Sequence, residues 1–210
     1  MKWEQLPLGP LQTNCYLISN SMKDCLVIDL GSEGPKLIQH IQKRGLKPIA
    51  ILLTHAHFDH IGAVDDVRDH YHIPVYIHRN EKKWLANPAM NGSTAFMSQT
   101  ISARDADFLI DQETKLSIGS FSFQVYETPG HSPGSISFYF EESGIVVSGD
   151  ALFAGSIGRT DLPQGDHQQL IKSIHQKLLA LPEDTIVLPG HGPDTVIEIE
   201  MESNPYLNGF

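Results

Sequence analysis

Cysteine is scarce. With two cysteines in 210 residues there is no disulfide framework, and neither Cys15 nor Cys25 lies near other metal-ligand residue types. Both sit in strand-like runs and are expected to be buried thiols in a reducing compartment. Positive charge is also in deficit: 15 Lys+Arg against 25 Asp+Glu give a formal net charge of -10. A chain so acidic, with no basic patch, is not a first choice for binding nucleic acid. No apolar run is long enough to cross a bilayer. The opening residues Met1-Lys2-Trp3-Glu4-Gln5-Leu6-Pro7 lack the apolar core and cleavage site of a secretory signal. The expectation is a cytoplasmic protein with no nucleic-acid or membrane partner. There is no Ser/Gly linker and no short-period repeat, while 40% apolar and 19% charged residues fit an ordinary globular chain. These features point to one domain over residues 1–210.

Apolar runs of strand length recur at residues 15–18, 25–28, 49–53, 75–77, 121–126, 136–140, 145–147 and 185–188, each closed by turn residues. Between them lie three stripes at helical spacing: Leu37, Ile38 and Ile41; Ile61, Val64 and Val67; and Leu170, Ile171, Ile174 and Leu178. Strands mixed with helices throughout predict an α/β fold with helices covering sheets. The stretch from 81 to 107 differs. After an expected short helix around Trp84 it carries Met90, Phe96 and Met97 without a clear period. It reads either as a binding loop or as a loop packing its own apolar side chains.

Histidine is the excess: of eleven, five fall in three of four motifs at strand ends. The apolar run 49–53 empties into Thr54-His55-Ala56-His57-Phe58-Asp59-His60. In extended chain, residues two apart project to one side, so His55 and His57 can grip one ion while Asp59 and His60, past the turn, face another. Histidine with carboxylate suits zinc, iron or manganese rather than calcium or a thiolate-type structural zinc. Burying these four groups without partners costs about 1–3 kcal/mol each, which disfavours an inert core or loop. The runs 121–126, 145–147 and 185–188 lead to Thr128-Pro129-Gly130-His131-Ser132-Pro133-Gly134, Ser148-Gly149-Asp150 and Pro189-Gly190-His191-Gly192. Each motif is weak alone, and the set of four is strong.

The ordered series THAHFDH, TPGHSPGS, SGDALF and PGHG, spanning residues 54–192, resembles the metallo-β-lactamase-fold hydrolases. The resemblance implies a four-layer αβ/βα sandwich of two mixed β-sheets flanked by helices. It further implies that His55, His57 and His131 form a first metal site and Asp59, His60 and His191 a second, with Asp150 bridging both. Asp29, followed by Leu30 and Gly31, stands where the family has an aspartate-x-glycine turn supporting the site. Aspartate at 150 and histidine at 57 separate the chain from branches that carry cysteine or glutamate there. The segment Gly158-Arg159-Thr160-Asp161 is similar to the small glyoxalase II-like proteins.

That likeness implies a hydrolase with two divalent transition-metal ions, zinc first and iron or manganese as alternatives. A hydroxide held between the ions would attack the carbonyl of a small-molecule thioester, and Asp59 would orient this nucleophile and take up its proton. Arg159 is the candidate for a substrate carboxylate, since a guanidinium forms bidentate pairs; an ion pair with a neighbouring acid is the alternative. Only nineteen residues follow His191, where glutathione-specific relatives carry a helical domain, so an open pocket bounded by residues 84–97 and Arg159 is expected. A mononuclear iron persulfide dioxygenase using His55, His131 and Asp150 is the runner-up, ahead of a lactone hydrolase and a non-enzymatic metal-binding protein. The sequence carries no indication of oligomeric state.

Overall fold

In a computed structural model, which describes residues 1–208, the chain divides into two compact units. One comprises residues 1–111 with 118–121; the other comprises 112–117 with the described chain from 122 onward.

The first unit is built on β1 (Lys2–Leu8), β2 (Thr13–Ser19), β3 (Asp24–Ile28), α1 (Gly34–Arg44), β4 (Lys47–Leu52), α2 (Phe58–Ile61), α3 (Val64–Tyr71), β5 (Val75–His78), α4 (Ser93–Phe96) and β6 (Phe108–Ile110). Its six strands lie in sequence order, β1 to β3 antiparallel and β3 to β6 parallel, which makes the sheet mixed. The central strands β3 and β4 are buried almost throughout, and so read as continuous apolar runs rather than alternating ones. Helix α1 starts with Pro35 in its first turn and ends with Lys43 and Arg44 in its last. Gly45 closes it in the left-handed region, donating its N–H to the Gln42 and Ile41 carbonyls. Its buried Leu37 and Ile41 join Val27, Ile51, Val64, Val67 and Val75 in the core of this unit.

Two local expectations change. The stripe Ile61, Val64, Val67 is not one helix but α2 and α3, interrupted at Gly62 and Ala63. The Leu30 loop causes the break: Leu30 donates its N–H to the His60 carbonyl at 2.9 Å and accepts from the Ala63 N–H at 2.9 Å. The expected helix around Trp84 is instead a run of tight turns following a single 3-10 turn, Arg79–Glu81. Trp84 and Asn87 each donate to a carbonyl three residues back, and the Asn91 side chain ties the Trp84 carbonyl to that of Ile101.

The second unit contains β7 (Thr114–Ile118), β8 (Phe121–Glu127), β9 (Ile136–Phe140), β10 (Ile145–Gly149), β11 (Leu152–Phe153), β12 (Ser156–Ile157), α5 (His167–Ser173), β13 (Ile186–Pro189), β14 (Thr195–Val196) and α6 (Ile197–Ser203). The six-stranded sheet runs β14-β13-β10-β9-β8-β7, with β11 and β12 forming a separate two-stranded ribbon. It too is mixed: β10 and β13 are parallel, whereas β9 runs antiparallel to both β8 and β10. Asp166 caps α5 by accepting from the Gln169 N–H at 2.9 Å, and the helix continues through a π turn over Ile174–Leu178. The expected stripe is present, with Leu170, Ile174 and Leu178 buried against Val146, Val187 and Ile197. No helix among the described residues is long and apolar enough to cross a membrane.

Both cysteines are free and fully buried, as expected, Cys15 in β2 and Cys25 in β3. Burial raises the Cys15 thiol well above its ordinary range and pushes Cys25 up to about 12. Both thiols therefore stay protonated at pH 8. In a dithiobis(nitrobenzoate) titration at that pH the native protein is expected to release no thiolate, and guanidinium-unfolded chain two equivalents; prompt native labelling at either position would contradict the burial.

Candidate metal centre

The ligand candidates leave the carboxyl ends of parallel strands. Ile28 at the end of β3 pairs with Leu52 at the end of β4, so the residues that follow, Asp29 and Thr54 to His60, emerge side by side. Asp29 turns out of β3 at φ 52°, a left-handed conformation that aspartate tolerates better than most residues. This conformation brings its buried carboxylate onto three donors of the next motif. Oδ1 accepts from the Thr54 N–H at 2.8 Å, and Oδ2 accepts from Thr54 Oγ1 at 2.6 Å and faces His60 Nδ1 at 3.0 Å.

These contacts fix which nitrogens face a metal. His55 Nδ1 meets Thr54 Oγ1 at 3.0 Å and His60 Nδ1 meets Asp29, so each imidazole presents Nε2 for coordination. The rings cluster tightly, with His55 to His57 centroids 4.8 Å apart and His55 to His60 4.1 Å. Donor atoms of Asp29, His55 and His60 all lie within 4.8 Å of one another. Asp59 Oδ2 stands 3.6 Å from His60 Nε2 and accepts a 2.9 Å hydrogen bond from Thr13 Oγ1 at the start of β2.

The second unit repeats the device. Gly149 at the end of β10 pairs with Pro189 at the end of β13, and Gly190 donates its N–H to the Gly149 carbonyl at 2.8 Å. Asp150 and His191 thus leave neighbouring parallel strands. Strand β8, antiparallel to β9 as β10 is, ends at the same edge and delivers His131. Asp150 Oδ2 stands 3.5 Å from His131 Nε2 and 3.5 Å from His191 Nε2. One carboxylate oxygen equidistant from two imidazole nitrogens is placed to share an ion with either ring. His131 Nδ1 faces the Arg159 carbonyl at 2.8 Å, which orients this ring as Asp29 orients His60.

Within each unit the donors, His55 and His60 with Asp59 in the first and His131 and His191 with Asp150 in the second, fit zinc, iron or manganese by donor chemistry. The structure therefore brings His55, His57, Asp59 and His60 together in one unit and His131, Asp150 and His191 together in the other. It treats Arg159 differently. The guanidinium makes a bidentate pair with Asp161, at 2.8 and 2.7 Å, and the pair holds the Asp161 carboxyl down at about 2. What this segment supplies to the ligand cluster is backbone. A Cβ on Gly158 would collide with the Asp150 carbonyl oxygen and stand 3.3 Å from His131 Cβ. Only glycine lets the chain pass so close and bring the next carbonyl onto His131.

Two supporting residues lie outside the motifs and escape sequence reasoning, Thr13 and Glu81, while Thr54 opens the THAHFDH motif but shows no supporting role in the sequence alone. The Glu81 carboxylate is fully buried and accepts the N–H of Ala56, the residue between His55 and His57. Trp84, one turn onward, packs on the His57 ring at 5.5 Å. Glu81 was hidden because it stands in the charged run Arg79-Asn80-Glu81-Lys82-Lys83, which reads as a solvated loop. The remaining histidines are surface or satisfied groups: His40 pairs with Glu4, His70 with Gln42, and His78 accepts from the Asn80 N–H.

Residues 8–191 match the Metallo-beta-lactamase superfamily, and the chain belongs to it. It is 54% identical to a "probable metallo-hydrolase" of Bacillus subtilis, YqgX, across 100% of this chain and 99% of that one. It is 39% identical to the hydroxyacylglutathione hydrolase GloC of Haemophilus influenzae, across 99% of each. Among solved structures, the BLEG-1 B3 metallo-beta-lactamase superposes with a TM-score of 0.97 at 53% identity, covering 99% of this chain and 100% of that one. TTHA1623 in a di-iron-bound form does so with a TM-score of 0.87 at 40% identity, covering 97% and 100%. The two mixed sheets with flanking helices are those of the metallo-β-lactamase fold.

Two substitutions test the supporting contacts. Gly158→Ala is expected to cost about 1–3 kcal/mol by overpacking and to lower metal occupancy by displacing His131. Glu81→Ala leaves the Ala56 N–H without its acceptor and is expected to cost about 1–3 kcal/mol. Thermal unfolding of metal-free protein checks both costs, and metal analysis after dialysis against a graded chelator checks the occupancy. Wild-type values in both measurements would show that the contacts do not hold the ligands.

Proposed function

We propose that the protein is a metal-dependent thioester hydrolase acting on a small-molecule thioester of glyoxalase II type, with His55, His57, Asp59, His60, His131, Asp150 and His191 holding two divalent ions. The observation that carries the reading is Asp150 Oδ2 at 3.5 Å from both His131 Nε2 and His191 Nε2, which places one carboxylate within reach of ions held by either imidazole. The likeness to a hydroxyacylglutathione hydrolase over almost the whole chain supports the substrate class. Zinc is the proposed metal, with iron the alternative that the di-iron-bound relative raises.

The overall reaction adds water across the thioester: the carbonyl carbon gains an oxygen, the C–S bond breaks, and a carboxylic acid and a free thiol leave. A bound divalent ion supplies Lewis acidity and brings the pKa of coordinated water down toward ~7. Asp59 orients the attacking water and takes its proton. Its side chain is largely buried, and Thr13 Oγ1 fixes the oxygen nearest His60, so the carboxylate is held rather than free to rotate. Asp29, Thr54 and the Arg159 carbonyl keep the imidazoles turned with Nε2 inward. A cysteine nucleophile is ruled out, since both thiols are buried and protonated.

Metal analysis of unsupplemented protein, combined with assays on S-lactoylglutathione, a lactone, a β-lactam and glutathione persulfide, tests the reading. Thioester hydrolysis with two metal equivalents is the expected result. Oxygen uptake on the persulfide by a one-iron protein would replace it with the dioxygenase. Asp59→Asn is expected to lower kcat at least a hundredfold with KM little changed and metal content retained. Loss of metal in that variant would reduce Asp59 to a ligand.

A further inference from the structure

The ribbon of β11 and β12 adjoins all three ligand candidates of the second unit. It begins two residues after Asp150, and its backbone ladder continues past the strands, with Gly158 donating its N–H to the Ala151 carbonyl at 3.2 Å. The next residue is Arg159, whose carbonyl meets His131 Nδ1 at 2.8 Å. On the first strand the Phe153 ring meets the His191 ring edge-on, with centroids 6.2 Å apart. A shift of the ribbon therefore moves groups beside His131, Asp150 and His191 together.

Two residues per strand cannot hold such a ribbon. Only Leu152 with Ile157 and Phe153 with Ser156 pair across it, and an isolated hairpin is marginal even when longer. Leu152 and Ile157 pack in the core with Ile197 and Leu207, but apolar contact is non-directional and does not fix the tip. Helix α6 fixes the tip. The Glu200 carboxylate, 1% exposed, accepts the Gly155 N–H at the turn, at 3.0 and 3.2 Å to its two oxygens. It also accepts from Thr195 Oγ1 at 2.6 Å and from Asn204 Nδ2 at 2.7 Å. Asn204, itself fully buried, donates from the same nitrogen to the Ser156 carbonyl at 3.1 Å. Thr195 belongs to β14, which pairs with β13, so the strand that follows the His191 loop is bound to the same carboxylate.

We propose that Glu200 and Asn204 are positioning residues for the metal ligands of the second unit. They clamp the ribbon tip to β14, and so set where the Arg159 carbonyl meets His131 and where Phe153 meets His191. The inference rests on the reading of these histidines as ligands and is independent of the substrate. Both residues lie beyond residues 8–191, which match the superfamily and contain the ligand motifs. Stability alone is a poor reason for the arrangement. Glutamate is almost never fully buried unless paired. The donors it meets here are all uncharged, and an apolar residue of similar volume would carry no desolvation cost. What the carboxylate provides is direction: it fixes the spacing of three elements that apolar packing would leave free to slide.

The test uses full-length protein and three substitutions. Glu200→Asp keeps the carboxylate but shortens its reach by one methylene, so it no longer spans from Thr195 to Gly155. Glu200→Gln keeps the length: its carbonyl can still accept from Gly155 and Asn204 while Thr195 Oγ1 turns to accept from its amide. Asn204→Ala releases the Ser156 carbonyl and leaves Glu200 on Gly155 and Thr195. In metal-free protein at about pH 8.5, where imidazoles are neutral, long-range 1H–15N spectra read the tautomer of each histidine. Wild type is expected to show His131 protonated at Nδ1. Glu200→Asp is expected to give His131 as a mixture of tautomers and a displaced His191 signal, with His55 and His60 unchanged, and to weaken metal binding about tenfold in chelator competition. Glu200→Gln is expected to keep wild-type signals and affinity even with a lower Tm, and Asn204→Ala to lie between the two. Wild-type tautomers and affinity in folded Glu200→Asp, or in Asn204→Ala if the first does not fold, would overturn the proposal and leave Glu200 a stability element. So would equal losses in Glu200→Asp and Glu200→Gln, or losses that extend to His55 and His60. Tautomer changes in a protein whose wild type binds no metal would instead remove the ligand reading and leave the clamp in place.

Discussion

Parallel pairing of strands that end level with each other is the constraint on which the ligand cluster depends. In a parallel pair the chain direction is shared, so two strands in register deliver their next residues to the same edge of the sheet. Ile28 opposite Leu52 does this in the first unit, and Gly149 opposite Pro189 in the second. The strands themselves are apolar and buried, while the residues just past them are histidine, aspartate and glycine. Ligand sites outside the carboxyl ends of strands are a general property of α/β sheets. Here a glycine or a left-handed aspartate at the turn lets the polar side chain fold back over that edge.

Orientation of the imidazoles then follows from groups that are not ligands. Asp29, Thr54 and the Arg159 carbonyl each take an Nδ1 position, so the choice of nitrogen is made by protein contacts. Glu81 works one step further out, on the peptide between His55 and His57. Such buried contacts are costly to leave half-made, and this couples the integrity of the ligand cluster to that of the strands beneath it. Arg159 illustrates how the two roles of a residue separate: its carbonyl holds His131, while its guanidinium is engaged with Asp161 at the surface. Residues 91–101 serve differently again, with the Asn91 and Ser93 side chains pinning the Ile101 backbone.

Much of this was legible in the sequence, and the reasons are specific. Runs such as 49–53 and 145–147 are apolar because strands buried on both faces have no polar side to show, and each appears in the structure as a strand. The THAHFDH motif was legible because three histidines and an aspartate in six residues have no bland explanation. Strands β1 and β7 were not read, since both are only half-buried and carry too few apolar residues to stand out from loop. The split of α2 from α3 was hidden because the Leu30 loop that interrupts the backbone ladder lies some thirty residues away in sequence.

The sequence by itself determined the fold class and the order of the motifs that carry histidine and aspartate, because apolar periodicity and residue chemistry are local properties of the chain. Tertiary structure decided which nitrogen of His55, His60 and His131 is taken up by a protein contact, that Glu81 bonds the peptide between His55 and His57 and Thr13 bonds Asp59, and that the Arg159 guanidinium is taken up by Asp161. Each of these depends on groups distant in the chain or on side-chain direction, and both are fixed only when strands pair in register and loops are packed against them.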